Sequence, residues 1–459
     1  MDPTLLTRET LDRRTLLKGT ACGFGSLAFN AMANQTPVIA PKAKRVIFLF
    51  MQGGPSQVDT YDYKPELQKA HERDVGFYVP RTRVTEQRTV MKPLWGFQQY
   101  GESGRWSSSL FPEVAKHVDD LCFIHSMHTE GVAHGPATLF LHTGATNLVR
   151  PSMGAWISYG LGSDNENLPA FVTVNPPANK GGPRNYANAF LPAFHQGTVL
   201  GTPGNPNAKP EIRNLSNPLS KEAVLREHEF LDQLNRAQLG DSSDSVLDGV
   251  IRSHELAWRM QTHAAELVNV DRESRAIHEL YGIGNDSTDG FGRQCLAARQ
   301  LAESGVRFIQ ISHCDNSATP VWDQHSNMPK HEPLANEVDR PIAGLLTDLK
   351  QRGLLEDTLV WWGAEFGRTP FSQNNNGRDH NPRGFTVWLA GGGVKPGFAY
   401  GSTDEFGFQA VEGKVHMHDL HATVLHLLGL DHERLTYSYA GRDFRLTDVH
   451  GRVVHDIIA

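Results

Sequence analysis

The first strongly patterned segment is Arg45-Val46-Ile47-Phe48-Leu49-Phe50-Met51, a continuous apolar run stopped by Gln52-Gly53-Gly54-Pro55. A short apolar run bounded by turn residues predicts a strand buried on both faces. Comparable runs lie at 121–125, 170–174, 306–312, 358–362 and 385–390. Between several of them the apolar spacing becomes helical. Ile342, Leu345, Leu346 and Leu349 recur at helical intervals within 339–352, and Gly353 suits the C-terminal cap. A further helix is predicted over 137–142, just after His134-Gly135-Pro136, and a charged helical stretch over 225–280. This alternation predicts an α/β fold, a doubly wound and mainly parallel sheet with helices on both faces. Ligands in such sheets sit beyond the carboxyl ends of the strands.

The region 175–220 is rich in Pro, Asn and Gly and lacks periodicity, so it reads as an excursion over the surface. No repeat and no second-domain boundary is visible, and 45–459 reads as one domain. The segment 1–33 has another character. Asp12-Arg13-Arg14-Thr15-Leu16-Leu17-Lys18 resembles a twin-arginine export signal, a mildly apolar stretch runs from Gly19 to Phe29, and Ala31-Met32-Ala33 suits cleavage. The expected partner is the twin-arginine machinery, and the expected location periplasmic or extracellular. Of Cys22, Cys122, Cys295 and Cys314, the last three would remain after cleavage. An odd number gives no disulfide framework.

Composition narrows the function classes. The 459 residues are 39% hydrophobic and 21% charged, which suits a folded globular chain. A net charge of −7 gives no basic face for nucleic acid. No apolar run is long enough to span a bilayer.

Chemistry concentrates in loops that follow predicted strands. Asp323 and His325, beyond the 306–312 strand, pair a hard oxygen with a borderline nitrogen. That set suits Zn²⁺ or Mn²⁺, with Ca²⁺ as an alternative. Glu365 follows an apolar strand and needs a cation, either a metal or Arg368. Asp379-His380 offers one ligand and one orienting group. After the first strand, Ser56 is a candidate nucleophile, anion contact or helix cap, and Asp59 and Asp62 are candidate ligands. His134 stands at a predicted helix start, among His125, His128 and His142. Of the late histidines 416, 418, 421 and 426, most read as the polar side of a helix, with His418 the one kept as a site candidate.

Taken together, Gly-Gly-Pro-Ser-Gln-x-Asp, Trp-Asp-x-His, Glu-Phe-Gly-Arg-Thr-Pro and Gly-Arg-Asp-His resemble an exported bacterial family. It is the domain of unknown function numbered fifteen-oh-one, often labelled sulfatase-like, and similar to the alkaline phosphatase and sulfatase superfamily. The resemblance implies a metal site at the strand ends. Asp323, His325 and His380 would hold the first ion, and Glu365 would stand where a second-metal carboxylate sits. It implies the nucleophile position at His134, ahead of Thr143-Gly144, where no hydroxyl or thiol stands. Gln52-Gly53 replaces the usual Asp, Phe366 replaces the usual His, and Cys295-Leu296-Ala297-Ala298-Arg299 lacks the sulfatase proline. The expectation is a metal-dependent hydrolase of phosphate or sulfate esters, on a small-molecule or glycan substrate. His134 would be nucleophile or acid/base and Arg368 an anion clamp. The alternative is a binding protein on a scaffold that has lost catalysis.

Overall fold

Alternate residues of β1 (Arg45–Met51) enter two different cores. The computed structural model describes residues 39–79, 84–211, 220–239, 245–267 and 269–459, and the leader-like segment 1–33 lies outside them. Ile47, Leu49 and Met51 face one core, while Val46, Phe48 and Phe50 face the other. The period of two in a strand makes this split automatic. Each fully buried apolar side chain contributes about 1.5–3 kcal/mol, so β1 anchors both layers.

Among the described residues the main sheet has nine strands: β1, β2 (Leu121–His128), β3 (Phe171–Val174), β4 (Thr198–Leu200), β5 (Phe308–His313), β6 (Thr358–Gly363), β7 (Phe385–Ala390), β8 (Phe398–Tyr400) and β9 (Val415–His416). Their order is β8-β2-β7-β6-β1-β5-β3-β4, with β9 also on β2. Neighbours are parallel except at β7, which runs antiparallel to both β6 and β2. The sheet is therefore mixed and mostly parallel. The first core packs on α3 (Asp289–Glu303) and α4 (His331–Gln351), and the second on α1 (His134–Thr143), α2 (Met153–Leu161) and α5 (Met417–Leu427). Helices thus cover both faces, as the strand–helix alternation predicts.

Two local features differ from the expectations. The stretch 175–211 is not only an excursion, because it carries the edge strand β4. Three residues have too little periodicity to announce a strand. The helix expected over 339–352 begins at His331, and Pro341 lies inside it. Cys122, Cys295 and Cys314 are free and buried. Among the described residues no helix is long and apolar enough to cross a membrane.

The topology brings the polar loops together. β1, β2, β5 and β6 end at one edge of the sheet. β7 runs the other way, so the loop before it, with Asp379 and His380, reaches that same edge.

Candidate metal centre

Asp323 is the hub. Its Oδ1 lies 3.0 Å from His325 Nε2 and 3.2 Å from His380 Nε2, and its Oδ2 lies 3.1 Å from His134 Nε2. The two imidazoles His325 and His380 approach each other at 3.0 Å, Nε2 to Nε2. Asp379 joins the outer side, 3.8 Å from His325 Nδ1. The cluster is nearly closed on the Asp323 and His134 side and opens to solvent at His325 and Asp379.

Each of the three histidines is held through its other nitrogen. His134 Nδ1 donates to Glu365 at 2.6 Å, His325 Nδ1 to Gln373 Oε1 at 2.5 Å, and His380 Nδ1 to the Val132 carbonyl at 2.9 Å. With the proton fixed on Nδ1 by an acceptor, the lone pair is left on Nε2. All three lone pairs then converge on one carboxylate.

Electrostatics follow from this geometry. Burial pushes the Asp323 carboxyl up, but the close approach of His134, His325 and His380, with the Arg368 charge, holds it well below the usual carboxylate range. Burial also opposes a charge on His134, yet the Asp323 and Glu365 carboxylates outweigh it and raise its pKa. Asp323 raises that of His325.

The donor set fits a divalent ion. His134, Asp323 and His380 can each turn one ligand atom to within 4.8 Å of the others, as can His325, Asp379 and His380. His134 Nε2 is buried and, despite its closeness to Asp323, has no hydrogen-bonding geometry with any partner among the described residues. Two lone-pair nitrogens and a carboxylate oxygen in contact repel unless a proton or a cation lies between them. Nitrogen with one or two hard oxygens is the donor set of Zn²⁺ and Mn²⁺ sites.

Glu365, expected as a metal-site carboxylate, is committed to protein donors. It is fully buried, accepts the Gly53 N–H at 3.0 and 3.2 Å, and orients His134. Gly53 makes this contact at φ +112°, and a Cβ there would lie 2.8 Å from the Asp323 nitrogen. Arg368, expected as an anion clamp, is also committed. It is fully buried, donates to the Gly53, Gly54 and Arg378 carbonyls, and lies 2.7 Å from Asp323 Oδ1. A guanidinium with its donors spent on the protein fixes a carboxylate and a loop rather than a substrate.

Ser56 and Asp59 are not brought to the cluster. Ser56 Oγ donates to Asp59 at 2.5 Å, and Asp59 forms a fully buried pair with Arg378 at 2.7 Å. Asp62 pairs with Lys64 at 3.1 Å. His418, stacked on Phe140 and 3.1 Å from the Gly144 carbonyl, serves packing. Sequence reasoning missed Gln373 and the Val132 carbonyl, and took Gly377 only as part of the Gly-Arg-Asp-His motif. A Cβ on Gly377 would fall 1.9 Å from the His325 carbonyl carbon, so only glycine lets that loop close over His325. A glycine just before Arg378-Asp379-His380 was the available signal.

Among solved structures, the chain is similar to the phosphonate monoester hydrolase SpPMH from Silicibacter pomeroyi, at 14% identity over 70% of this chain and 68% of that one, with a TM-score of 0.35. It is similar to the PsFucS1 sulfatase from Pseudoalteromonas sp., at 11% identity over 90% and 72%, TM-score 0.35. It is also similar to the alkaline phosphatase from the Antarctic bacterium TAB5, at 13% identity over 85% and 99%, TM-score 0.35. No curated protein matches the chain. The model of the family described as "Protein of unknown function (DUF1501)" matches residues 43–458, and the chain belongs to that family.

Proposed function

We propose that this protein is a metal-dependent hydrolase of phosphate or sulfate esters, acting outside the cytoplasm after export by the twin-arginine route. The observation that carries the reading is the convergence of three Nδ1-tethered imidazoles on Asp323. Asp323, His380 and His134 would hold the ion, with His325 and Asp379 at its open side. A bound divalent ion supplies Lewis-acid polarisation of an ester oxygen and lowers the pKa of bound water.

The chain's own residues do the rest. Arg368 keeps Asp323 ionised and in place. Glu365 fixes the His134 tautomer, and Phe366 packs on both His134 and His380, 4.9 and 4.5 Å between ring centres, shielding that side from water. Ester and water enter from the open side, where His325 and Asp379 can take or give a proton. Ser56 Oγ is buried against Asp59, so the reading uses water rather than a serine as nucleophile.

One observation favours a second reading, a ligand-binding protein without turnover. None of the expected site residues brought to the cluster carries a hydroxyl or thiol. Elemental mass spectrometry with a panel of aryl phosphate, phosphonate and sulfate esters separates the two. The hydrolase reading expects stoichiometric Zn or Mn, lost in Asp323→Ala and His380→Ala, and metal-dependent turnover. Metal without turnover on any ester supports the binding protein. No metal after incubation with Zn²⁺, Mn²⁺ or Ca²⁺ removes the metal centre itself.

A further inference from the structure

Away from the metal centre, the hairpin formed by Phe97–Tyr100 and Arg105–Ser108 borders a second space. It is a cavity of about 120 Å³ lined by Asp62, Tyr63, Arg105, Trp106, Phe123 and His125. None of these belongs to the cluster around Asp323. One water needs roughly 10–15 Å³ of such space, so the cavity has room for a small solute. Drug-sized ligands take about 300–1,000 Å³, which limits the occupant to a single small ring.

Its walls define the chemistry. The rings of Tyr63 and Trp106 lie 4.2 Å apart and give an apolar side, with Trp106 36% exposed at the mouth. Asp62 accepts from Thr403 Oγ1 at 2.5 Å and pairs with Lys64 at 3.1 Å, so its carboxylate is held in place as an acceptor with lone pairs to spare. Arg105 donates Nε to the Gly397 carbonyl at 2.9 Å, and its terminal nitrogens have no partner among the described residues. His125 Nδ1 lies 3.1 Å from Thr386 Oγ1, and Nε2 has no partner among the described residues. The ring stacks on Phe123 at 5.7 Å.

A fixed acceptor, a free donor, an imidazole and an aromatic wall surround one small volume. An inorganic anion would leave the aromatic wall unused and face Asp62. A flat aromatic ring would leave the spare lone pairs of Asp62 and the terminal nitrogens of Arg105 unused. A ring with an apolar C–H face and a rim of hydroxyl groups uses every wall. We propose that this cavity binds one pyranose unit of a glycan, at a site separate from the metal centre.

Ligand-observed saturation-transfer NMR on the full chain tests this, with the methyl pyranosides of glucose, galactose and fucose as probes and inorganic phosphate as a control. At least one pyranoside should receive saturation on its ring C–H protons, with a dissociation constant on the order of 1–10 mM for so few atoms. Trp106→Ala and Arg105→Gln should each weaken binding about tenfold or more, while Asp323→Ala leaves it unchanged. Trp106→Phe, which keeps an apolar wall and most of the volume, should retain part of the affinity and serves if the alanine variant does not fold. Absence of transfer to all three pyranosides overturns the proposal. So does transfer that is equal in the wild type and the Arg105 and Trp106 variants, or that disappears with Asp323→Ala, since the sugar would then sit elsewhere.

Discussion

An imidazole presents its lone pair to a metal at a fixed nitrogen when its other nitrogen is occupied by an acceptor. At this centre the occupants are a carboxylate, an amide oxygen and a backbone carbonyl, on Glu365, Gln373 and Val132. Glu365→Gln keeps the shape but weakens the hold on His134. We expect metal affinity to fall by about 10–100-fold with the fold retained, measured by competition with a chromogenic chelator. Affinity equal to wild type would return Glu365 to a purely structural role. Gly377→Ala tests the loop that closes over His325. The new Cβ would collide with the His325 carbonyl carbon at 1.9 Å. Displaced backbone there should lower bound metal well below one equivalent, or cost about 1–3 kcal/mol in chemical denaturation. Wild-type metal and stability together would show that the loop relaxes freely. At this scale the meeting of Asp323, His325 and His380 was legible because polar residues cluster after apolar runs, whereas His134, expected as nucleophile or acid/base, stands between Asp323 and Glu365. The role of Glu365 was not, since a sequence does not say whether a buried carboxylate faces an ion or the imidazole that would bind one.

Elements inherit these constraints through buried ion pairs. The one-turn helix Gln57–Thr60 is tied to the loop before β7 by Asp59 and Arg378, both fully buried. Arg378 also donates to the Thr369, Met91 and Lys92 carbonyls, so it pins three segments around one carboxylate. Breaking such a pair leaves a charge without its partner in a low-dielectric interior, at a cost of about 3–5 kcal/mol. Asp59→Ala should lose that much in urea unfolding, while the folded fraction still binds metal with wild-type affinity. A selective loss of metal at unchanged stability would instead make Asp59 a ligand. Strands β1, β2, β3, β5, β6 and β7 were readable to within a few residues because each is a short apolar run closed by turn residues, whereas the two- and three-residue strands β4, β8 and β9 were too short to show a pattern. The reversed direction of β7 was not readable. Its sequence is that of any buried strand, and direction depends on which neighbours it pairs with.

Across the whole molecule, several histidines are buried as neutral groups. Burial lowers His331 and His421 to about 3 and His142 to about 4. The unfolded chain, with histidines near 6.5, binds more protons than the folded one between those values and 6.5. The stability they contribute is therefore complete above about pH 6.5 and is lost as pH falls toward 3–4. Between pH 7 and pH 5 the expected loss is about 1–2 kcal/mol per histidine. The urea midpoint should fall steadily over that range, before most carboxylates protonate. A flat midpoint from pH 7 to pH 5 would refute it. His421→Asn should shallow the slope.

What the sequence determined alone is the alternation of apolar runs and helical spacing, and with it the layered α/β architecture. It also determined which residue types follow each strand. Those properties are local, set by periods of two and 3.6 and by turn chemistry. Only the tertiary structure decided which of the polar residues meet. Asp323 and His380 are brought to the same edge because β5 is parallel to β1 while β7 runs antiparallel beside β6. Ser56 and Asp59, close in sequence to the same edge, are turned inward to Arg378. A buried carboxylate takes the partner that packing offers it, and that choice rests on contacts hundreds of residues apart in the chain.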